Sequence, residues 1–317
     1  MNQTPQDLTA AVLAVMQRTP DARLREIMTS LVAHLHGFVH DVRLSEDEFR
    51  AATALLARLG QQTTDTHNEV VLMAGSLGVS SLVCLLNNPA PPSAGERERD
   101  GDGDGNGNDA SGTSHNLLGP FWRMGSPRTA NGASIVRSPT PGPRLWVRAQ
   151  LIDQQGAPVA DAEVDVWHCS PTGLYENQTQ ARAEGQIDMN LRGKFSTDAQ
   201  GRFSFRSVKP MGYPVPTDGV VGQMLAAQGR HPMRPAHVHV LVFKEGFKTL
   251  ISQVYADDDA HIDTDVQFGV TRALTGRFVR HDTPAPGQPA LAPPWYSLDF
   301  SFRMVPGVAK LPRPPIK

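Results

Sequence analysis

The sequence predicts an α+β fold, a helical N-terminal region followed by a mixed β-sandwich. Three observations carry this expectation: apolar residues at helical spacing through the first ninety positions, a Gly/Asp-rich break after them, and short partly alternating runs from Arg144 onward. With 317 residues the chain is long enough for one large domain and a smaller accessory one. The expected division is a helical domain over 1–113, ending in a flexible linker at about 89–113, and a sandwich domain over 114–317.

In TPQDLTAAVLAVMQR, Leu8, Val12, Val15 and Met16 share a helical face until Pro20 interrupts it. A second helix is expected from Asp21 to His40. Ser45 with Glu48 forms a capping-box pattern for a third, reaching Leu59. A fourth, NEVVLMAGSLGVSSLVCLL, is apolar almost all round and is expected to be buried against the rest of the chain or a second subunit. The stretch from Pro89 to Thr113 is loop-like. Its Asp100, Asp102, Asp104 and Gly105 resemble the start of a calcium loop, but the twelfth position, where a bidentate Glu belongs, is Ser111. The runs LWVRAQL, AEVDVWH, GRFSFRSV, HVHVLVF, LISQVYA and YSLDFSFRM are expected strands, without intervening helices, which is the pattern of a sandwich or barrel.

Composition narrows the function classes. The net charge of −2 with no basic run argues against nucleic acid. The N-terminus lacks a signal-peptide pattern and no stretch reaches transmembrane length, so membrane insertion is not expected. Two cysteines, Cys84 and Cys169, suit a reducing, cytoplasmic compartment and read as packing residues.

The chemistry concentrates in a few residues. In RPAHVHVLVF the alternation of a strand sets His237 and His239 on one face, able to share a metal ion, and Val238, Val240 and Val242 on the other. Alone, two such histidines are commonly just a strand face. Only four tyrosines occur, and Tyr175 in SPTGLYENQ and Tyr213 in KPMGYPVPTDG follow loops, where corner packing is the usual role. His34, His36 and His40 on the second helix offer a zinc-like spacing without a placed carboxylate or Cys, so they read as a solvated face.

Taken together, DVWHCSPTGLYENQ, NLRGKFSTDAQGRFSFRSVKPMGYPVPTDG, GRHPMRPAHVHV and ISQVYADDD, in this order, resemble the intradiol catechol dioxygenase family, across roughly Leu117 to Phe302. The resemblance implies one Fe(3+) per subunit held by Tyr175, Tyr213, His237 and His239. Hard phenolate oxygens and a trivalent ion suit each other, whereas zinc and iron(II) prefer other donor sets. It also implies an aromatic 1,2-diol and O2 as substrates, release of Tyr213 as the substrate binds, and its use as a proton acceptor. Arg234 would stabilise negative charge on the ring and Gln253 would hydrogen-bond near it. His168 and His231 are expected to be structural and buried.

Leu72, Gly75, Gly119, Pro120, Phe121, Val215, Pro216 and Thr217 are the expected substrate-lining residues. GLYENQ with GYPVPTDG is similar to the hydroxyquinol branch, implying benzene-1,2,4-triol opened to 3-hydroxymuconate and maleylacetate. In that branch the position of Gly75 often holds an acid, and its absence points towards catechol or substituted catechols. A homodimer through the N-terminal helices, with a lipid bound between them, is implied as well. Two other readings remain: a non-catalytic β-sandwich binding module, and a zinc hydrolase using His237 and His239.

Overall fold

A computed structural model describes residues 4–65, 67–88, 112–285, 287 and 291–314. The calcium-like segment at 100–111 and almost all of the expected linker lie outside them. The chain divides into two compact units, Met1–Arg58 and Leu59–Lys317.

The first unit holds α1 (Pro5–Met16), α2 (Ala22–Val42) and most of α3 (Glu46–Gln62). Each start is set by local chemistry: Thr4 and Asp7 close a capping box, Asp21 caps α2, and Ser45 exchanges hydrogen bonds with Glu48 at the head of α3. Within the unit, Thr9 Oγ1 meets His36 Nδ1 at 2.9 Å, joining α1 to α2.

The segment expected as one apolar helix is two: α4 (Glu69–Ser76) and α5 (Val79–Asn87), bent by 74°. Helical periodicity is blind to this break, because the residue that makes it, Gly78 with φ +73°, fits the apolar pattern while its backbone is left-handed. Nor is the segment uniformly buried. α4 buries Leu72, Gly75 and Ser76, whereas Leu82, Leu85 and Leu86 of α5 are exposed. Among the described residues no single helix is long and apolar enough to cross a membrane, although the bent pair passes on length and composition.

Two large sheets dominate the rest of the second unit. One runs β10 (Phe278–His281), β11 (Trp295–Arg303), β1 (Arg144–Ile152), β4 (Arg202–Val208). The other runs β3 (Arg192–Ser196), β2 (Glu163–Trp167), β7 (His237–Phe243), β8 (Leu250–Ala256), β9 (Thr275–Gly276). A short ribbon pairs β5 (Tyr213–Pro214) with β6 (Met233–Arg234). The β1–β11 and β8–β9 pairings are parallel and the others antiparallel, so the sandwich is mixed.

Leu145, Val147, Phe205, Leu298 and Phe300 from one sheet pack against Val164, Val166, Val238, Val240 and Val242 from the other. These residues are within 4% of full burial, and their packing supplies most of the drive to hold the layers together. Contrary to expectation, short helices do interrupt the strands: α6 (Thr179–Ala183) and α7 (Val220–Ala227). Buried Glu69 ties α4 to α7 by accepting from the Val221 amide at 2.8 Å, and it also meets His67 Nε2 at 2.5 Å.

Candidate metal and active site

Strand β7 fixes the histidines. Its valines enter the sandwich core, so His237 and His239 must face the other way, where Phe121, Trp122, Trp167, Cys169, Tyr175 and Tyr213 form a second buried cluster. Cross-strand registry sets Trp167 beside His239 and stacks the two rings at 4.6 Å and 7°. His237 Nδ1 lies 2.8 Å from the Pro235 carbonyl, which can only accept, so Nδ1 carries the proton and Nε2 turns a lone pair inward.

The tyrosines arrive from separate loops. Tyr175 is held by its amide donating to Gln178 Oε1 and by stacking on Phe121 at 4.5 Å. Its loop is anchored by neighbouring Glu176, which accepts from buried Arg192 Nε at 2.8 Å, while Arg192 also donates to the Phe121 carbonyl. Tyr213 enters on β5, opposite Arg234 of β6. Two glycines of the motifs are steric requirements here. A Cβ on Gly173, which has φ +82°, would lie 2.7 Å from Tyr213 Cβ, and one on Gly119, which has φ +75°, would lie 3.1 Å from His239 Cε1.

Four donor atoms converge in consequence. Tyr175 Oη is 3.3 Å from Tyr213 Oη and 3.5 Å from His237 Nε2, and the two histidine Nε2 atoms are 3.1 Å apart. Separations of about 3 to 3.5 Å are those of ligand atoms around one ion with bonds of about 2.0–2.2 Å. Burial raises the Tyr175 phenol well above its ordinary value and Tyr213 to about 12, and pushes His237 down to about 3 and His239 well below its ordinary range. Two neutral imidazoles, that of His237 with its lone pair turned inward, beside phenols that ionise only against strong positive charge, fit a highly charged hard cation.

Beside the donors sits a buried polar network. Arg234 extends NH1 to within 3.5 Å of His237 Nε2 and turns its Nε and NH2 to Asp265 at 3.0 and 3.1 Å. Burial alone would weaken its charge, but the Asp265 carboxylate more than offsets this and holds the guanidinium firmly ionised. Arg234 NH2 also reaches Gln253 Oε1 and Tyr255 Oη, while Gln253 Nε2 donates to the Leu117 carbonyl at 2.7 Å. Gln253 is thus brought to Arg234. Asp265, Tyr255 and Trp167 were not foreseen. Tyr255 had a signal in the sequence, since it lies two positions after Gln253 on one strand face, whereas Asp265 sits in an irregular segment with none.

The other expected site residues differ in placement. Phe121 stacks on Tyr175, Gly119 leaves no room for a Cβ beside His239, and Pro120 between them is half-buried. Leu72 and Gly75 are buried on α4, and Gly75 faces Gln267. Val215 is buried, Pro216 half-buried and Thr217 exposed. His168 is buried, bonded to the Cys169 carbonyl and Ser207 Oγ. His231, expected to be buried, is exposed and accepts from the Met233 amide, because it lies in the turn before β6 rather than on a strand.

The family described as "Dioxygenase" matches residues 117–302, and "Catechol dioxygenase N terminus" matches 21–95. The chain is 35% identical over 300 residues to the 6-chlorohydroxyquinol 1,2-dioxygenase of Cupriavidus pinatubonensis, covering 95% of this chain and 97% of the relative. It is 36% identical over 293 residues to a hydroxyquinol 1,2-dioxygenase of a Rhizobium species, covering 92% of each. Among solved structures, hydroxyquinol 1,2-dioxygenase from Pseudomonas putida superimposes with a TM-score of 0.80 at 30% identity, over 96% of this chain and 99% of that one. The chain belongs to the intradiol ring-cleavage dioxygenase family, in its hydroxyquinol and catechol 1,2-dioxygenase branch. It is an enzyme of that reaction class, which opens an aromatic diol between its hydroxylated carbons, in a family that uses non-haem iron.

Proposed function

We propose that the chain opens hydroxyquinol, benzene-1,2,4-triol, using one Fe(3+) per subunit held by Tyr175, Tyr213, His237 and His239. The observation that carries the metal assignment is the convergence of two phenol oxygens and an imidazole pair within 3.1–3.5 Å, walled by aromatic rings. The names of the relatives support the triol. Gly75, where that branch often carries an acid, favours a second reading, catechol or a chloro- or methylcatechol.

Ferric iron, when bound, supplies the Lewis acidity that ionises the diol and opens its ring to dioxygen. The remaining work falls to side chains. Tyr213, on a two-residue strand, is the oxygen base that accepts a proton from a substrate hydroxyl. Arg234, fixed by Asp265 and Gln253, presents a permanent positive charge next to the donors, where negative charge gathers on the ring. Phe121, Trp122 and Trp167 exclude water from the donors.

The same reading extends to assembly. Between α1 and α2 lies an open, mostly apolar groove of about 1090 Å³, lined by Leu8, Leu13, Ala33, Val39 and Leu44 together with His36, His40 and Arg43, which suits a lipid chain at a homodimer contact. Both cysteines are free thiols, which suits the cytoplasm.

The test is elemental analysis of natively purified protein together with oxygen uptake on hydroxyquinol, catechol and 4-chlorocatechol. The expected result is close to one iron per chain, a wine-red phenolate charge-transfer band and fastest uptake with the triol. Active protein that is colourless and free of iron overturns the assignment.

A further inference from the structure

Gln267 lies in the irregular segment between β8 and β9, and no sequence pattern marks it. Its backbone is held on both sides: the amide donates to Asp265 Oδ1 at 3.2 Å, and the carbonyl accepts from Ser81 Oγ at 2.8 Å. The Asp265 carboxylate that holds Gln267 also holds Arg234, whose NH1 lies 3.5 Å from His237 Nε2. Gln267 is therefore hung on the ion pair that adjoins the donor cluster.

The side chain turns to α4. A Cβ added to Gly75 would stand 2.9 Å from Gln267 Nε2 and 3.0 Å from its Cδ, so the missing side chain of Gly75 is what gives the amide its room. Gln267 is only 4% exposed, yet its side-chain amide makes no hydrogen bond to another described residue. An amide without another partner can take a ligand atom as its hydrogen-bond partner.

We propose that Gln267 is a specificity-determining residue whose amide hydrogen-bonds a polar substituent on the ring of the diol, the third hydroxyl of a triol, beside the space left by Gly75. The inference rests on the reading of this site as a diol pocket. It gives a chemical role to an apparent gap, since the polar group at this wall comes from the β8–β9 segment rather than from α4. A primary amide both donates and accepts, so it suits a ring hydroxyl in either protonation state, whereas a carboxylate would repel the anion. Hydrogen or chlorine at that ring position leaves the amide unpaired, and the site discriminates against it.

The test compares kcat/KM for hydroxyquinol and catechol in the wild type, Gln267→Met and Gly75→Ala. Gln267→Met keeps the length of the side chain and removes its polar atoms, and Gly75→Ala drives a methyl group into the place of the amide. Both are expected to lower the hydroxyquinol-to-catechol ratio by about 10- to 100-fold, chiefly through KM. Anaerobic titration of the visible band with each diol gives Kd directly, so a variant with weak turnover is still decisive. A ratio that moves by less than about threefold in Gln267→Met, by kinetics and by titration, overturns the role of Gln267 while leaving the diol site standing. If the wild type opens neither diol, the reading of the site fails first and the role of Gln267 falls with it.

Discussion

α2 and β7 are both rich in apolar residues, yet the structure treats them in opposite ways. On α2, Leu24, Ile27, Leu31, Leu35, Phe38 and Val42 recur at intervals of three and four and form one stripe, and all are 45–53% exposed. On β7 the valines are within 3% of full burial on one side, and the histidines of the other side are equally enclosed. A strand with both faces covered needs nothing outside its own unit, and a site built on it inherits that rigidity. An exposed stripe is a surface waiting for a partner, which is why the proposed dimer contact and the proposed chemistry belong to separate parts of the chain.

The sharpest way to break this contrast is to strike the donors. Tyr175→Phe or His237→Ala is expected to abolish the visible band and to lower turnover by at least about 10³-fold, read by absorbance and oxygen uptake. Sedimentation should be unchanged, because no donor lies on the α2 stripe. Full activity in either variant would remove these residues from the metal centre.

A smaller effect separates the sandwich unit from the helices by pH. Burial holds His168 neutral, with its pKa down at about 4 against about 6.5 in an unfolded chain. Its folded pKa is depressed, so its contribution to stability is complete above about pH 6.5 and is lost as pH falls through the window towards 4. The unfolded chain takes up a proton there that the folded one refuses. The size is about 3 kcal/mol. Urea midpoints at pH 7 and 4.5 should converge partly in His168→Gln, and an unchanged gap would show that His168 does not carry the acid sensitivity.

The same contrast explains what the sequence could disclose. β7 and β8 have the bounds expected of them because a two-residue period over a covered core leaves no other register. β3, reading RGKFS, escaped because a five-residue run with Gly193 and two cations carries no period, although Gly193 is dictated by Ile135, whose Cγ2 would lie 2.6 Å from a Cβ. The four proposed donors could be picked out only through motif order, since nothing local relates Tyr175 to His237 across sixty-two positions. Asp265 and Gln267 were invisible for a related reason. Their roles are contacts with Arg234 and Gly75, made by irregular backbone whose path depends on the finished sandwich.

The mildest perturbation of activity is the most telling for the helices. Replacing Leu31 and Leu35 together by Asp places two charges in the middle of the α2 stripe, at positions 47% and 52% exposed within the chain. A charge at the surface of an isolated protomer costs little, but two buried in an isologous contact meet two more from the partner and go without compensation. The double variant is therefore expected to sediment as a monomer, with kcat per protomer within about threefold of the wild type, since the proposed metal site draws all four side chains from one chain. Unchanged sedimentation would move the dimer contact off α2, and loss of the visible band on dissociation would mean that the sandwich unit relies on its partner after all.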